Sequence, residues 1–309
     1  MFHPVKMKSV RTKKWTNAAR SSVEQQKAHS VPREPLVIIR PTKGLQTLGL
    51  KQIWDYRELL YFLAWRDVKV RYKQTLLGVV WVVLQPLVTV VIFTLIFGKL
   101  LKVPSGDLPY PLFVLAALLP WNYFASTLNR CSTSLLGNAN LITKVYFPRL
   151  VIPLSAALSG LVDFCVAFLT LLGLIAYFGI WPGIAILLLP AFMCVAFFTA
   201  FGFGLWLSAL NVRFRDVNYL IPFLLQIWMY ATPIIYGSSL IPERFRWVLA
   251  LNPMTCVVEG FRWALFGGHS PNVTLQGSLF LVPIVVISVT MLSGALFFRS
   301  TERTFADII

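Results

Sequence analysis

The most constraining feature of this chain is a long stretch that carries no charge. Residues 164–212 contain no Asp, Glu, Lys or Arg, and their apolar character is interrupted by a turn at residues 179–183 that holds one Pro and two Gly. A helix needs about 20 apolar residues to cross roughly 30 Å of hydrocarbon, so this stretch predicts two crossings. The whole chain agrees, because 57% of its residues are hydrophobic and 13% are charged. We therefore predict an integral membrane protein.

Further apolar segments bring the number of predicted spans to six. The spans are residues 76–97, 108–129, 150–178, the uncharged part after the turn up to residue 212, about 218–236 and about 275–298. An even number places both termini on one side. Twenty-three of the 28 Lys and Arg residues lie on the side of the N-terminus, which predicts cytoplasmic termini.

A basic, aromatic helix is predicted before the first span, at residues 53–73. Its apolar and aromatic side chains share one stripe at 100° per residue, namely Trp54, Tyr61, Trp65, Val68 and Tyr72. The flanks carry cations, which are Arg66, Lys69 and Lys73 on one side and Arg57 and Arg71 on the other. Aromatic rings favour the headgroup layer and cations favour the anionic cytoplasmic leaflet, so this helix is expected to lie at the interface.

Two segments between spans carry their own pattern. Residues 238–272 contain apolar pieces too short to cross, 245–251 and 254–266, which predict external helices or a re-entrant hairpin. Residues 138–149 form a short cytoplasmic piece, apolar enough to dock on a partner, although an ordinary loop is an equal alternative. The predicted fold class is all-α, a polytopic membrane protein with six transmembrane helices, an amphipathic interfacial helix and short external re-entrant helices.

Four regions follow from these assignments. Residues 1–50 form a cytoplasmic tail, residues 51–75 the interfacial helix, residues 76–298 the transmembrane domain and residues 299–309 a cytoplasmic C-terminal tail. The first 35 residues are polar and basic without apolar periodicity, which predicts disorder. A transit peptide is the alternative for this segment, since it is poor in acidic residues.

The motifs of several chemistries are missing. Gly44 and Gly49 have the spacing of a phosphate-binding loop, but Leu50 stands where its Lys should be. The sequence has no zinc-protease helix, nucleophile elbow or paired carboxylates outside the membrane, and its three His and four Cys form no ligand pattern. The basic residues flank the spans, so they indicate topology and not a nucleic-acid site. We therefore expect no catalytic residues, metal site or cofactor.

Asp163 is the only ionisable residue in the middle of a predicted span. A charge there costs about 2.5–3.5 kcal/mol on insertion scales, so it should face protein or water. A hydrogen bond to a neighbouring helix is the favoured explanation, and an ion-coupled carrier is the alternative. On the fourth span, Ala200, Gly204 and Ser208 recur every fourth residue and predict a close helix contact.

Aromatic residues cluster where they could form a sliding track for sugar rings. The candidates for such a substrate path are Trp81, Trp121, Tyr123, Phe124, Trp228, Tyr230 and Tyr236. The alternative is the aromatic belt that membrane proteins carry at both interfaces.

Several sequence pieces, taken in order, point to a known family. They are WRDVKVRYKQTLLG (residues 65–78) followed by Trp81 and LQP (84–86), then LITKVYFPR (141–149), NVRFRD (211–216), TPIIY (232–236), LNPM (251–254) and FAD (305–307). Together they closely resemble the membrane subunit of type-2 ABC exporters for cell-surface polysaccharides. The resemblance covers about residues 36–309.

The resemblance implies a homodimer of six-span subunits in the bacterial cytoplasmic membrane, with membrane lipids around it and a pair of separate cytoplasmic ABC ATPase subunits. It implies a lipid-linked polysaccharide as substrate, such as O-antigen, capsule polysaccharide or teichoic acid, and short re-entrant pieces at residues 238–268. Residues 54–73 would be the gate helix, with Trp54, Tyr61, Trp65, Arg66, Asp67, Lys69, Arg71 and Tyr72. Residues 141–147 would be the coupling segment that rests on the ATPase, with Leu141, Ile142, Lys144, Tyr146 and Phe147. Three residues of a second cytoplasmic segment, Arg213, Arg215 and Asp216, would also take part in ATPase coupling.

Two other functions remain open on sequence alone. A membrane-bound glycosyl- or acyl-transferase would need acidic or histidine clusters at one interface, where the chain offers Glu243, Glu259 and His269. An ion-coupled carrier would depend on Asp163. If the ATPase-driven reading holds, Lys144→Glu or Phe147→Asp should uncouple ATP hydrolysis from export.

Overall fold

The computed structural model describes residues 50–73, 78–267 and 278–302, together with Phe305. Within these residues all regular structure is helical, which confirms the predicted all-α class. The predicted disordered tail, the junction at residues 74–77, His269 and most of the C-terminal tail lie outside the described residues.

The helices of the described part follow the predicted segments closely. The first six are α1 Leu50–Asp55, α2 Arg57–Lys73, α3 Gly78–Phe93, α4 Tyr110–Gly137, α5 Ala139–Lys144 and α6 Val151–Phe178. They are followed by α7 Leu189–Arg213, α8 Val217–Ala231, α9 Arg246–Leu251, α10 Pro253–Phe266 and α11 Ser278–Glu302. A π-helical stretch, Thr94–Leu100, prolongs α3, and a 3₁₀ turn, Ile184–Leu188, precedes α7.

Five helices of the described part are long and apolar enough to cross a bilayer. They are Val80–Leu100, Tyr110–Gly137, Val151–Phe178, Ile184–Arg213 and Leu281–Glu302, and they match predicted spans one to four and six. The fifth is shorter than predicted, because α8 has 15 residues, about 22 Å at 1.5 Å per residue. Residues 232–235 continue its path without helical structure and are buried by the protein, which keeps their backbone away from lipid. The chain is a multi-pass membrane protein.

α4 is the centre of the bundle. It packs against α6 and α7, and α7 packs in turn against α11. The contact between α4 and α7 is close, because a Cβ added to Gly204 would lie 2.7 Å from the Cβ of Cys131. Ala200, Gly204 and Ser208 are all buried, as the small-residue pattern on this span predicts.

The short helices α9 and α10 occupy the segment predicted to hold external or re-entrant pieces. α10 is buried along almost its whole length, against α4, α7 and α11. Its N-terminus is capped by the Asn252 side chain, which accepts a hydrogen bond from the Met254 amide, and Pro253 follows the cap. An apolar helix too short to cross and enclosed by the bundle has the character of a re-entrant piece.

The buried apolar residues form two clusters. The first surrounds the N-terminal half of α4 and includes most of α10. The second joins the C-terminal ends of α4, α7 and α11 to the start of α6, and it also receives Leu63, Ile142, Phe147 and Phe305. The second cluster therefore brings together the predicted gate helix and the predicted coupling segment.

Candidate functional site

The predicted gate helix is divided into two pieces. Tyr56 separates α1 from α2, although backbone hydrogen bonds continue through it, from the Tyr56 amide to Gln52 and from the Leu60 amide to Tyr56. Leu63 and Val68 are the buried residues of α2, and α2 packs mainly on α6. Most of α2 therefore keeps one side open, which suits a helix at the membrane interface.

The aromatic stripe is covered along only part of its length. Trp54 and Tyr61 are both 70% exposed and Trp65 is also exposed, whereas Val68 is buried and Tyr72 is half-buried. The first half of the stripe is therefore open to the surroundings, as expected for Trp and Tyr side chains of a helix at the headgroup layer. The second half turns to the bundle, because polar side chains on α2 bond to α4 and α6.

One polar contact joins α2 to the end of α4. The Arg66 Nη2 atom donates to Asn138 Oδ1 at 2.8 Å, and the same guanidinium pairs with Asp67. Asn138 stands between α4 and α5, and its Nδ2 donates to the Ser134 carbonyl at 2.9 Å. Arg66 therefore reaches the joint from which the coupling segment begins.

A second contact joins the end of α2 to Asp163 on α6. Arg71 forms an ion pair with Asp163, the Tyr72 hydroxyl donates to it at 2.6 Å, and Arg130 of α4 donates to it at 2.9 Å. Burial, together with the hydrogen bond to this carboxylate, raises the pKa of Tyr72. A single carboxylate thus links three helices.

Room for this cluster is provided by Gly160, one turn before Asp163. A Cβ added there would lie 2.5 Å from Arg130 Nη2 and 2.8 Å from Thr127 Oγ1. The absence of a side chain therefore lets the Arg130 guanidinium lie across α6. Because Asp163 has two cationic partners, its charge inside the bundle is compensated.

The predicted coupling segment, residues 141–147, has a buried side and an open side. Ile142 and Phe147 are buried in the second cluster, and Leu141 is half-buried. Lys144 is exposed and Tyr146 is 76% exposed. Phe147 is therefore an anchor of this segment, so Phe147→Asp would disturb folding and does not test coupling cleanly.

The chain directly after the predicted coupling segment is braced against the end of α11. Arg149 donates from its side chain to the Glu302 carbonyl and from its amide to the Glu302 carboxylate at 3.2 Å. The Arg149 guanidinium also lies over the ring of Phe305, which packs on Phe298. Arg213, Arg215 and Asp216, the other predicted coupling residues, are exposed at the joint between α7 and α8.

Arg262 is buried in the bundle, although the sequence predicts an external segment at this position. Arg262 on α10 is 0% exposed and donates to the carbonyls of Phe113 at 3.2 Å, Pro233 at 2.7 Å and Ile234 at 2.6 Å. It also pairs with Glu259 at 3.2 Å. The bonds to Pro233 and Ile234 satisfy two carbonyls of the non-helical backbone after α8.

The charges of this pair are strongly affected by their surroundings. Burial raises the pKa of Glu259, and the Arg262 guanidinium opposes that shift. Burial also lowers the pKa of Arg262, against the effect of the Glu259 carboxylate. One signal in the sequence could have revealed the pair, since the two residues lie three apart in an otherwise apolar piece.

The candidate path residues fall into two groups. Trp121, Tyr123 and Phe124 are buried within the chain, and the ring of Trp228 packs between Phe124 and Phe203 at 4.9 Å from each. Trp228 is also fixed by Asn252, whose Oδ1 accepts from the indole nitrogen at 2.9 Å. These four side chains therefore belong to the core of a single chain.

Trp81, Tyr230 and Tyr236 form the second group, whose side chains are exposed or half-buried. Trp81 and Tyr230 are 58% and 57% exposed, while Tyr236 is half-buried and donates to the Tyr230 carbonyl. Trp81 lies on α3 and Tyr230 on α8, and both helices also expose an amide, Gln85 and Gln226 respectively. An amide facing pure hydrocarbon without a partner is costly, so these faces suit a protein partner or a hydrated path.

The groups considered for a transferase do not come together. Glu259 is paired with Arg262, Glu243 is exposed with Arg246 3.4 Å away, and His269 lies outside the described residues. Among the residues that the structure describes, no three His, Cys, Asp or Glu side chains are close enough to hold a metal ion.

The sequence of this chain is similar to those of known transport proteins. The sequence pattern of a family described as ABC-2 type transporter matches residues 58–266. The O-antigen export system permease protein RfbA of Klebsiella pneumoniae is 32% identical over 82% of this chain and 95% of the relative. RfbA of Myxococcus xanthus is 29% identical over 84% and 98%. The polysialic acid transport protein KpsM of Escherichia coli is 24% identical over 77% and 91%.

Proposed function

The chain belongs to the ABC-2 type transporter family, and we propose that it is the permease subunit of an exporter that moves a lipid-linked polysaccharide across the bacterial cytoplasmic membrane. The observation that carries the proposal is the near full-length similarity to relatives named as O-antigen and polysialic acid export proteins. Both termini are cytoplasmic in this proposal, in agreement with the distribution of Lys and Arg.

Energy comes from a separate ATPase subunit, which the family implies. The permease contributes no catalytic residues, and its sequence lacks a phosphate-binding loop with the required Lys. The ATPase would dock on the exposed side chains of the coupling segment, Lys144 and Tyr146, and on the exposed joint with Arg215 and Asp216. The buried Ile142 and Phe147 would then carry the resulting movement into the bundle.

The substrate path lies between two copies of the chain. One bundle offers no room for a hydrated sugar chain along α4, because Leu112, Leu115 and Leu119 are almost completely buried. The exposed faces of α3 and α8, with Gln85, Gln226 and Tyr230, would face the second copy and the substrate. Stacking of sugars on the exposed aromatic rings would guide the chain outwards.

A reconstitution experiment tests this proposal. The tagged chain is purified from its native host with the proteins that remain bound, and the complex is placed in vesicles with glycolipid from a strain that lacks the permease. We expect an ATPase to co-purify and the glycan to become accessible to an external lectin only when ATP is hydrolysed. A complex with a hydrolysis-deficient ATPase is the control. Transport without ATP, or purification without an ATPase, would contradict the proposal.

A further inference from the structure

We propose that Arg66, Arg71 and Tyr72 form a releasable latch through which movement of the coupling segment is transmitted to α2. The latch consists of two contacts, Arg66 with Asn138 and the pair Arg71 and Tyr72 with Asp163. The inference deepens the proposed function and rests on it, since it concerns how an ATPase bound to the coupling segment moves the gate helix.

The connections of the coupling segment provide the first argument. The segment is held between Asn138, at the end of α4, and Val151, where α6 begins. α4 carries Arg130 and α6 carries Asp163, so the same two helices that hold the segment also hold the partners of α2. A shift of α5 therefore acts on both contacts of the latch.

The limited burial of α2 provides the second argument. Leu63 and Val68 are its buried residues, while its remaining contacts with α4 and α6 include the polar bonds of the latch. A helix with few buried apolar side chains can separate from the bundle without opening a large cavity. The polar bonds therefore have a large share in deciding whether α2 follows the bundle.

Arg130 makes the latch releasable. If Arg71 and Tyr72 leave Asp163, the Arg130 Nη1 atom still donates to the carboxylate at 2.9 Å. Asp163 is then not left as an unpaired charge inside the bundle, which would otherwise oppose release strongly. Arg71 is partly exposed and can be rehydrated at the membrane surface. In this proposal α2 has the docked arrangement that the structure shows and an undocked one in which Asp163 keeps its pair with Arg130.

The decisive variant is Arg71→Gln, which weakens the contact of α2 with Asp163 and leaves the pair of Asp163 with Arg130 intact. The control is Arg57→Gln, which removes the same charge from the exposed start of α2. Both are compared with the wild-type chain in its complete complex with the ATPase, in lipid vesicles. Export and ATP hydrolysis are measured on the same preparation, and thermal stability is measured alongside.

The expected result for Arg71→Gln is a loss of coupling. Export per complex should fall about tenfold, within the usual range of coupling between sites, while ATP hydrolysis stays within about twofold of wild type. Arg57→Gln should change neither quantity. Equal losses of export, hydrolysis and thermal stability in Arg71→Gln would instead show a purely structural role and overturn the latch.

Amide hydrogen exchange of the purified chain tests the latch without transport. Arg71→Gln should raise exchange in α2 about tenfold, as expected for one charge-assisted hydrogen bond, while α4 stays protected. Unchanged exchange in α2 would overturn the latch whatever the transport result. Failure of the proposed function looks different, because the wild-type complex would then export without ATP.

Discussion

Replacing Arg262 by Met should destabilise the chain strongly. Met is unbranched and fills a similar volume, so the main loss is electrostatic and not steric. The variant leaves the buried Glu259 without its cation and removes donors from the carbonyls of Pro233 and Ile234. Both consequences can be put on a free-energy scale.

The unpaired carboxyl sets the larger part of the cost. Burial favours its neutral form, so Glu259 should bind a proton, and protonating a group with an ordinary pKa of 4.5 at pH 7 costs about 3.4 kcal/mol at 1.36 kcal/mol per pKa unit. The carbonyls of Pro233 and Ile234, which lie outside the helices, add about 1 kcal/mol each when they lose this donor. The free energy of unfolding should therefore fall by about 5 kcal/mol at pH 7.

The pH dependence identifies the source of this cost. In Arg262→Met the pKa of Glu259 is raised in the folded state above its unfolded value, so the folded chain binds more protons and gains stability as the pH falls. Between pH 7 and pH 5 the deficit against wild type should shrink, because the Arg262 guanidinium holds the pKa of Glu259 lower in the wild type than in the variant. The double variant Arg262→Met with Glu259→Gln cannot gain this proton, so its deficit should stay constant over that range.

Thermal unfolding of membrane proteins is usually irreversible, so the free energy of unfolding is measured at equilibrium by titration with a denaturing detergent. As a second measurement, the variants are heated and the remaining folded fraction is compared by size-exclusion chromatography. The control is Arg246→Met, which breaks a matched pair with Glu243 whose carboxylate is largely exposed, and which should cost less than about 1 kcal/mol. The reasoning is refuted if Arg262→Met behaves like Arg246→Met, or if its deficit is the same at both pH values.

Three further expectations concern other parts of the chain. Lys144→Glu should reduce export without reducing the amount of folded chain, because Lys144 is exposed. Phe147→Asp should reduce the amount of folded chain, because Phe147 is buried. Immunoblots of membranes measure the amount of chain, and a glycan assay measures export. Gly204→Val should lower the free energy of unfolding by about 1–3 kcal/mol, because Cys131 leaves no room for a larger side chain. Gly137→Val is the control, since no atom lies within 4 Å of a Cβ added there. Tyr230→Ala should leave thermal stability unchanged but lower export per folded complex, and equal export would remove Tyr230 from the path.

Much of the fold could be predicted because the bilayer imposes length and apolarity on each span. Spans one to four and six were located by these criteria, as was the close face around Gly204. The ends of the spans were predicted less accurately, since predicted span two ends before Arg130 whereas α4 continues to Gly137. A charge normally ends a span, but here Asp163 on another helix compensates Arg130. The sequence did contain a signal for this contact, because Arg130 and Asp163 are a single basic and a single acidic residue on neighbouring helices.

The inward or outward orientation of aromatic residues was harder to predict. In a soluble protein the buried face is apolar and the open face is polar, but in a membrane both faces are apolar. Trp81 of α3 and Trp121 of α4 therefore look alike in sequence, although the first is 58% exposed and the second is buried. Arg262 was missed for a related reason, because its acceptors at Phe113, Pro233 and Ile234 are remote in sequence.

The bonds of Arg262 also constrain the order in which the chain can be built. Synthesis proceeds from the N-terminus, so the carbonyls of Pro233 and Ile234 are made about thirty residues before the donor that satisfies them. Until α10 is present these carbonyls would be unpaired in the hydrocarbon, where each costs several kcal/mol. The fifth crossing and α10 should therefore leave the translocation machinery and enter the bilayer as one unit, and nascent chains that stop before Arg262 should be handled by the cell as unfinished.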